Sequence, residues 1–198
     1  MNLPNKLTLT RIMLIPFFIA AIYIDFPYHY FVALAVFAVA SITDFFDGRI
    51  ARKRNLVTDL GKFLDPIADK VLVLSALVVL LGDPNTNVFT LKLGNIGLIL
   101  GGIGVVIILA RELTISSLRM MAAKKGIVLA AEYIGKVKTF FTDVTIVILL
   151  LVGDIYSISA AVGEVIDIIG LVGFAVSVLL TIISGISYLV KNKGVFTE

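Results

Sequence analysis

The stretch DFFDGRIARKRNLVTDLGKFLDPIAD, from Asp44 to Asp69, carries five aspartates and five basic residues. It lies inside a chain of 198 residues that is 59% hydrophobic, with a mean hydropathy of +1.06. Soluble domains are about 45–50% apolar, so this composition is typical of a membrane protein. Within such a chain, the charged stretch is either a solvated loop between membrane helices or a functional site. The spacing of its charges distinguishes the two.

Outside this stretch the chain consists of apolar runs, several of them near the roughly 20 residues that a helix needs to cross a bilayer. Turn residues separate the runs, among them Asp25–Pro27, the GDPNTN cluster at 82–87 and Gly153–Asp154. We therefore expect an all-α integral membrane protein, one domain over residues 1–198, with six transmembrane helices around a polar cavity open to the cytoplasmic interface. The spans are predicted at residues 7–24, 30–49, 62–82, 94–117, 132–153 and 163–190.

Lysine and arginine are distributed very unequally between the two ends of these spans. The loops on one side hold only Lys92, alongside Asp25, Asp83 and Asp154. Short cytoplasmic loops are enriched in Lys and Arg, so the basic side is expected to be cytoplasmic, with both termini there, in a multi-pass protein of the cell membrane. The basic start and the run IMLIPFFIAAIYI resemble a signal peptide, but we expect this segment to be retained as the first span. The basic side carries Lys6, Arg11, Arg49, Arg52, Lys53, Arg54, Lys62, Arg119, Lys124, Lys125, Lys136, Lys138, Lys191 and Lys193.

Two pairs of aspartates have helical spacing. Asp44 and Asp47 are three residues apart, and Asp65 and Asp69 are four apart, so that on helices each pair occupies one face. If spans two and three form an antiparallel hairpin, the four carboxylates face one another just inside the cytoplasmic boundary. Such a cluster needs compensating positive charge. Oxygen ligands without His or Cys favour Mg²⁺, Mn²⁺ or Ca²⁺ over zinc, and two such ions about 3.5–4 Å apart would clamp a phosphoryl group.

The residues alone leave other functions open. Asp59 is typical of a solvated residue or a helix cap. Carboxylates in membrane spans also relay protons, so a small cation or proton-coupled transporter is the alternative from another class. That alternative predicts carboxylates near the bilayer midplane, whereas these lie beside a basic loop. The single histidine, His29, is expected on the outer side, away from the aspartates, which disfavours a route through phosphohistidine.

The order Asp44-x2-Asp47-Gly48-x2-Ala51-Arg52-x8-Gly61-x3-Asp65-x3-Asp69 resembles the signature of the CDP-alcohol phosphatidyltransferases, and all eight fixed positions are filled. The resemblance implies that the four aspartates hold two Mg²⁺ or Mn²⁺ ions and that Asp69 also takes the proton of an acceptor hydroxyl. That hydroxyl would attack the β-phosphorus of CDP-diacylglycerol and expel CMP. The resemblance further implies a homodimer. It assigns the CDP group to Asn5, Thr8, Gly48, Arg52 and Thr58.

The segment ARELTISSLRMMAAKKGIVLAAEYIGKVKT, residues 110–139, resembles the subgroup of that family whose acceptor is glycerol 3-phosphate. Arg111 lies in an apolar run, where a guanidinium needs an anion, and Lys136 and Lys138 add positive charge. We expect these three residues to bind the acceptor phosphate. The alternatives are that the lysines are interfacial anchors and that Arg111 pairs with Glu112.

One position departs from the pattern of this subgroup. Glutamine is frequent there, where this chain has Thr142, followed by the intramembrane carboxylate Asp143. Asp143 is expected to make a structural hydrogen bond. Inositol phosphate and serine stay open as acceptors, and no nucleic-acid partner is expected.

Overall fold

The computed structural model describes the backbone of residues 3–53, 59–83, 88–127, 129, 130 and 132–195, and the side chains of 5–43, 64, 67, 68, 70–83, 93–127, 129, 130 and 132–195. Helices make up almost all of this part of the chain, and it contains no β-strand. The elements are α1 (Leu3–Tyr23), α2 (His29–Lys53), α3 (Asp59–Gly82), α4 (Val88–Lys124), α5 (Tyr133–Ile158), α6 (Ala160–Lys191) and a short 3₁₀ helix, Lys193–Val195.

The helices confirm the all-α class, since each predicted span falls on one of them to within a residue at its edges. Four helices contain a stretch long and apolar enough to cross a membrane: Asn5–Tyr23, Leu93–Lys124, Tyr133–Ile158 and Ala160–Lys191. The chain is therefore a multi-pass membrane protein. The described apolar parts of α2 and α3, His29–Thr43 and Lys70–Gly82, are shorter. Six crossings and a polar cavity stay predictions.

Large apolar side chains cover the outside of the helices. Phe17, Ile96 and Phe140 are each about two-thirds exposed, at 66%, 67% and 66%. Soluble monomers rarely present extended apolar surface of this kind to water. Contact with lipid accounts for it.

Packing divides the chain into two compact units. The first is Met1–Asn87 with Leu149–Ile166, and the second is Val88–Ile148 with Asp167–Glu198. In the first unit α1 packs against both α2 and α3, and the rings of Phe18 and Phe37, 6.0 Å apart, lie in the α1–α2 contact. In the second unit, glycines allow close helix packing: a Cβ at Gly104 would lie 2.6 Å from the Phe174 ring. A single domain over residues 1–198 stays a prediction.

The predicted break at Gly153–Asp154 is wrong, because α5 continues to Ile158. Both residues serve packing instead. A Cβ at Gly153 would lie 2.2 Å from the Tyr30 ring, so only glycine admits that ring. The Asp154 carboxylate accepts a 2.6 Å hydrogen bond from the Phe31 N–H in the first turn of α2. A side chain that satisfies an unpaired N–H at a helix start is a cap.

The helices contain three charged residues whose environments the sequence does not predict. Arg11 and Lys138 are buried within α1 and α5, at 0% and 3% exposure, and so are not interfacial anchors. Lys92 lies in α4, just before a kink at Gly94, whose φ of 56° is a conformation that glycine adopts readily. The helices extend beyond the predicted spans because a helix satisfies its own backbone hydrogen bonds on either side of the membrane boundary.

Candidate active site

The two aspartate pairs lie on helices, as their spacing predicts. The backbone of Asp44 and Asp47 belongs to α2, and that of Asp65 and Asp69 belongs to α3. Gly48 and Arg52 also lie in α2. The aspartate side chains and the Arg52 side chain are outside the described part of the chain, as is the whole of Thr58.

A hydrogen bond at the other end of α2 and α3 fixes their direction. The Tyr30 hydroxyl, at the start of α2, donates to Asp83 Oδ2, just after α3, at 2.6 Å, and both residues are buried. Since α1 packs against both helices, α2 and α3 lie side by side and are antiparallel. Asp44 follows Tyr30 by fourteen residues, and Asp69 precedes Asp83 by fourteen. At 1.5 Å per residue, each aspartate lies about 21 Å along its helix from this hydrogen bond, at the same level of the first unit.

The remaining two aspartates complete a cluster of positions at that end. Asp47 and Asp65 lie about one helical turn further from the hydrogen bond than their partners. Four carboxylate positions at one level, with no cysteine in the chain and its only histidine far along α2, fit hard divalent cations. No group of metal-binding side chains occurs among the described residues, a set that does not include these four.

Helix α1 carries buried polar side chains to the same level. A short loop, residues 24–28, joins it to α2, and His29 Nδ1 lies 3.2 Å from the Ala21 carbonyl oxygen, so α1 and α2 are antiparallel. Asn5, Thr8 and Arg11, three residues apart, are 4%, 0% and 0% exposed and form one buried face. Thr8 and Asn5 lie about 20 and 24 Å from the level of Ala21. This is the level of the aspartate pairs.

A second charged cluster lies in the second unit. Glu112 Oε1 accepts hydrogen bonds from Arg111 Nη1 at 3.0 Å and from Lys138 Nζ at 2.5 Å. The side chains of Arg111, Glu112 and Lys138 are 13%, 18% and 3% exposed. One carboxylate oxygen thus links α4 to α5 and leaves the trio with a net charge of +1. Lys136 is exposed, and no ion pair within the described residues joins it to this cluster.

Two glycines make room for Arg111. A Cβ at Gly135 in α5 would lie 3.4 Å from Arg111 Nη2, and a Cβ at Gly185 in α6 would lie 3.2 Å from Arg111 Cγ. The arginine therefore passes along two helix backbones that carry no side chain at these points. Neither glycine is predictable from the sequence as a neighbour of Arg111, because no spacing connects α5 and α6 to α4.

Comparison with known proteins decides the family. Residues 1–188 match the family model described as CDP-alcohol phosphatidyltransferase. The chain belongs to this family. Its membership favours an enzyme over the ion carrier that the aspartates alone left open.

Relatives of this phosphatidyltransferase extend over nearly its whole length. A protein of Rickettsia felis is 39% identical, covering 98% of this chain and 97% of its own. A protein of Bacillus subtilis is 36% identical, covering 96% and 95%, and one of Salmonella typhimurium is 36% identical, covering 98% and 96%. All three are named CDP-diacylglycerol–glycerol-3-phosphate 3-phosphatidyltransferase.

Two further side chains of the phosphatidyltransferase have local roles. His29, at the start of α2, precedes Asp44 by fifteen residues of continuous helix, about 22 Å, which confirms its separation from the aspartates. The Thr142 hydroxyl is buried and donates to the Lys138 carbonyl at 3.0 Å. This hydroxyl therefore makes a bond within α5, where the subgroup often has glutamine. The structural role of Asp143 stays a prediction.

Proposed function

We propose that this enzyme transfers the phosphatidyl group of CDP-diacylglycerol to glycerol 3-phosphate, giving phosphatidylglycerophosphate and CMP. The observation that carries the choice of acceptor is the Arg111–Glu112–Lys138 cluster. Two largely buried cations beside one carboxylate suit an acceptor that carries a phosphate, whereas serine brings an ammonium group that offsets the charge of its own carboxylate. The names of the full-length relatives support the same acceptor.

Enzymes of this family generally depend on a divalent metal. We assign two Mg²⁺ or Mn²⁺ ions to Asp44, Asp47, Asp65 and Asp69, since their register on antiparallel helices brings four carboxylate positions to one level. When bound, such ions stabilise negative charge on the diphosphate and on the leaving group.

Asp69 is the proposed general base. It accepts the proton of the acceptor hydroxyl as that oxygen forms a bond to the β-phosphorus of CDP-diacylglycerol. The bond between the β-phosphorus and the bridging oxygen breaks, and CMP leaves with the electron pair. The acceptor gains the phosphatidyl group, and no redox change occurs.

The nucleotide is assigned to Asn5, Thr8, Gly48, Arg52 and Thr58. Asn5 and Thr8 support this assignment because they are buried polar side chains at the level of the aspartates. A glycine at position 48 allows the α2 backbone to approach a phosphate. The acceptor phosphate is assigned to Arg111 and Lys138, with the exposed Lys136 as a more distant positive charge.

The substrate chemistry suits a membrane interface. CDP-diacylglycerol has two acyl chains that belong in lipid and a charged nucleotide that belongs in water, so a site at the cytoplasmic boundary serves both. We propose that both termini are cytoplasmic, that six spans form one domain around a polar cavity, and that the enzyme is a homodimer.

The product tests this proposal. Purified enzyme in detergent would be incubated with CDP-diacylglycerol, Mg²⁺ and radiolabelled glycerol 3-phosphate, and the lipid fraction analysed by mass spectrometry. We expect label in a lipid with the mass of phosphatidylglycerophosphate, and no labelled lipid without the metal. Label that stays in the aqueous phase with active, folded enzyme would contradict the proposal.

A further inference from the structure

Arg11 is a fully buried cation in a membrane span. Its side chain is 0% exposed, and it lies in Asn5–Tyr23, a stretch long enough to cross a bilayer. Among the described side chains of the first unit it is the one buried cation. A buried guanidinium is strongly unfavourable unless negative charge lies close to it. The position of Arg11 therefore indicates an anionic environment beside α1.

The register of the helices brings four aspartate positions within reach of Arg11. Arg11 precedes Ala21 by ten residues, which places its α-carbon about 15 Å from the His29 end of the unit. Asp44 and Asp69 lie about 21 Å from that end. Side chains on a helix lean towards its N-terminus, and the N-terminus of α1 is at the aspartate end. An extended arginine spans the difference of about 6 Å.

We infer that Arg11 is a positioning residue whose fixed charge compensates the aspartate cluster before divalent cations bind. This inference rests on the proposed metal-binding role of the aspartates. Four carboxylates at one level repel one another, and a guanidinium at that level offsets part of this repulsion. Arg11 is then an internal counterion that occupies the low-dielectric side of the site.

This role predicts an increase in metal affinity when Arg11 is removed, which other roles do not. A positive charge near a cation site opposes metal binding, so its removal strengthens the binding of a divalent ion. The same removal destabilises the metal-free protein, because the carboxylates lose their counterion. A residue that only holds the ligands in place would show the opposite effect on metal affinity, since its loss would weaken binding.

The test compares Arg11→Gln with Arg11→Lys, which keeps the charge, and with Lys6→Gln. Lys6 is exposed on the same helix, so its substitution removes the same charge from the surface. Each full-length protein in detergent, without nucleotide, would be titrated with Mn²⁺, and free Mn²⁺ measured by electron paramagnetic resonance. Thermal unfolding would be followed with and without Mn²⁺.

We expect Arg11→Gln to bind Mn²⁺ at least about tenfold more tightly than wild type and to unfold at a lower temperature only when metal is absent. Arg11→Lys and Lys6→Gln should bind within about twofold of wild type. Unchanged or weaker Mn²⁺ binding by Arg11→Gln would overturn the inference. Unchanged Mn²⁺ affinity together with weaker CDP binding, measured in a separate titration with CDP, would also overturn it and would assign Arg11 to the nucleotide.

Poor folding of Arg11→Gln is also decisive. Recovery of the folded variant by purification in Mn²⁺ supports the inference, because the metal then replaces the missing charge. Failure to fold both with and without Mn²⁺ overturns it, because Arg11 would then be needed for packing alone. If wild type itself binds no Mn²⁺, the proposed metal site fails, which is a different result from equal binding by wild type and Arg11→Gln.

Discussion

Tyr30 and Asp83 join the start of α2 to the end of α3 through a buried 2.6 Å hydrogen bond. Because Asp44 and Asp69 are each fourteen residues from this bond, it sets the two aspartates at one level about 21 Å away. A contact at one end of the first unit thus determines which residues of α2 and α3 lie at the same level in the candidate active site.

Removal of the Tyr30 hydroxyl should destabilise the enzyme. Tyr30→Phe leaves the ring in place but removes a hydrogen bond to a buried carboxylate, which typically contributes about 1–3 kcal/mol. We expect a loss of that size in the free energy of unfolding, measured by denaturant titration in detergent micelles. Tyr28→Phe is the control, since Tyr28 is 58% exposed. Equal stability of the two variants would show that the hydrogen bond contributes nothing.

Gly153 should not tolerate a methyl group. In Gly153→Ala the new Cβ would lie 2.2 Å from the Tyr30 ring, so the ring or the helix must move, at a cost of about 1–3 kcal/mol. In Gly82→Ala the nearest atom, the Tyr23 hydroxyl oxygen, is 3.7 Å away, which is an ordinary contact. We expect thermal unfolding at a lower temperature for Gly153→Ala only. The same loss in both variants would contradict close packing at Gly153.

Asp69→Asn should abolish turnover without unfolding the protein. An amide cannot accept the proton of the acceptor hydroxyl, and loss of a general base typically lowers the rate by about 10²–10⁴. The measurement is the rate of CMP release at saturating substrates. Asp59→Asn is the control, because it removes the same charge ten residues earlier in α3. Its rate should stay within about twofold of wild type. Activity of Asp69→Asn near the wild-type level would exclude Asp69 as the base.

Substitution of Glu112 should weaken binding of the acceptor and leave binding of the nucleotide substrate unchanged. Its Oε1 holds both Arg111 and Lys138, and a glutamine offers them a weaker, neutral acceptor. We therefore expect Glu112→Gln and Arg111→Ala to raise the KM for glycerol 3-phosphate about tenfold or more, with the KM for CDP-diacylglycerol changed by less than about twofold. Lys124→Ala, at an exposed position, should change neither value. Equal changes in both KM values would indicate a general loss of structure.

The sequence predicts the helices and the location of each aspartate pair on one helix, because both depend on local properties. Apolar runs of the right length indicate spans, and separations of three and four residues place side chains on one face. The antiparallel arrangement of α2 and α3 follows from the Tyr30–Asp83 contact, which no local pattern reveals.

The features that the sequence does not predict correctly depend on contacts between residues far apart in the chain. The pair Gly153–Asp154 is typical of a turn. In the structure, however, Gly153 accommodates the Tyr30 ring and Asp154 caps α2. Arg11 belongs to the basic side of the predicted topology, and an interfacial anchor is the alternative role for Lys138, yet both side chains are buried. In each case a distant residue determines the environment, and residue type and spacing do not specify which residue that is. The sequence suggests Glu112 as a partner of Arg111, but its second bond, to Lys138, joins another helix and is not predictable.

The central claim is that this family member uses its aspartate cluster to transfer a phosphatidyl group to glycerol 3-phosphate. The most direct test is CMP release by the purified enzyme with CDP-diacylglycerol and Mg²⁺ or Mn²⁺, in parallel assays with glycerol 3-phosphate, inositol phosphate and serine. We predict CMP release with glycerol 3-phosphate alone, dependent on the metal and absent in Asp69→Asn. Release with serine or inositol phosphate in place of glycerol 3-phosphate, or release that is independent of metal, would contradict the account.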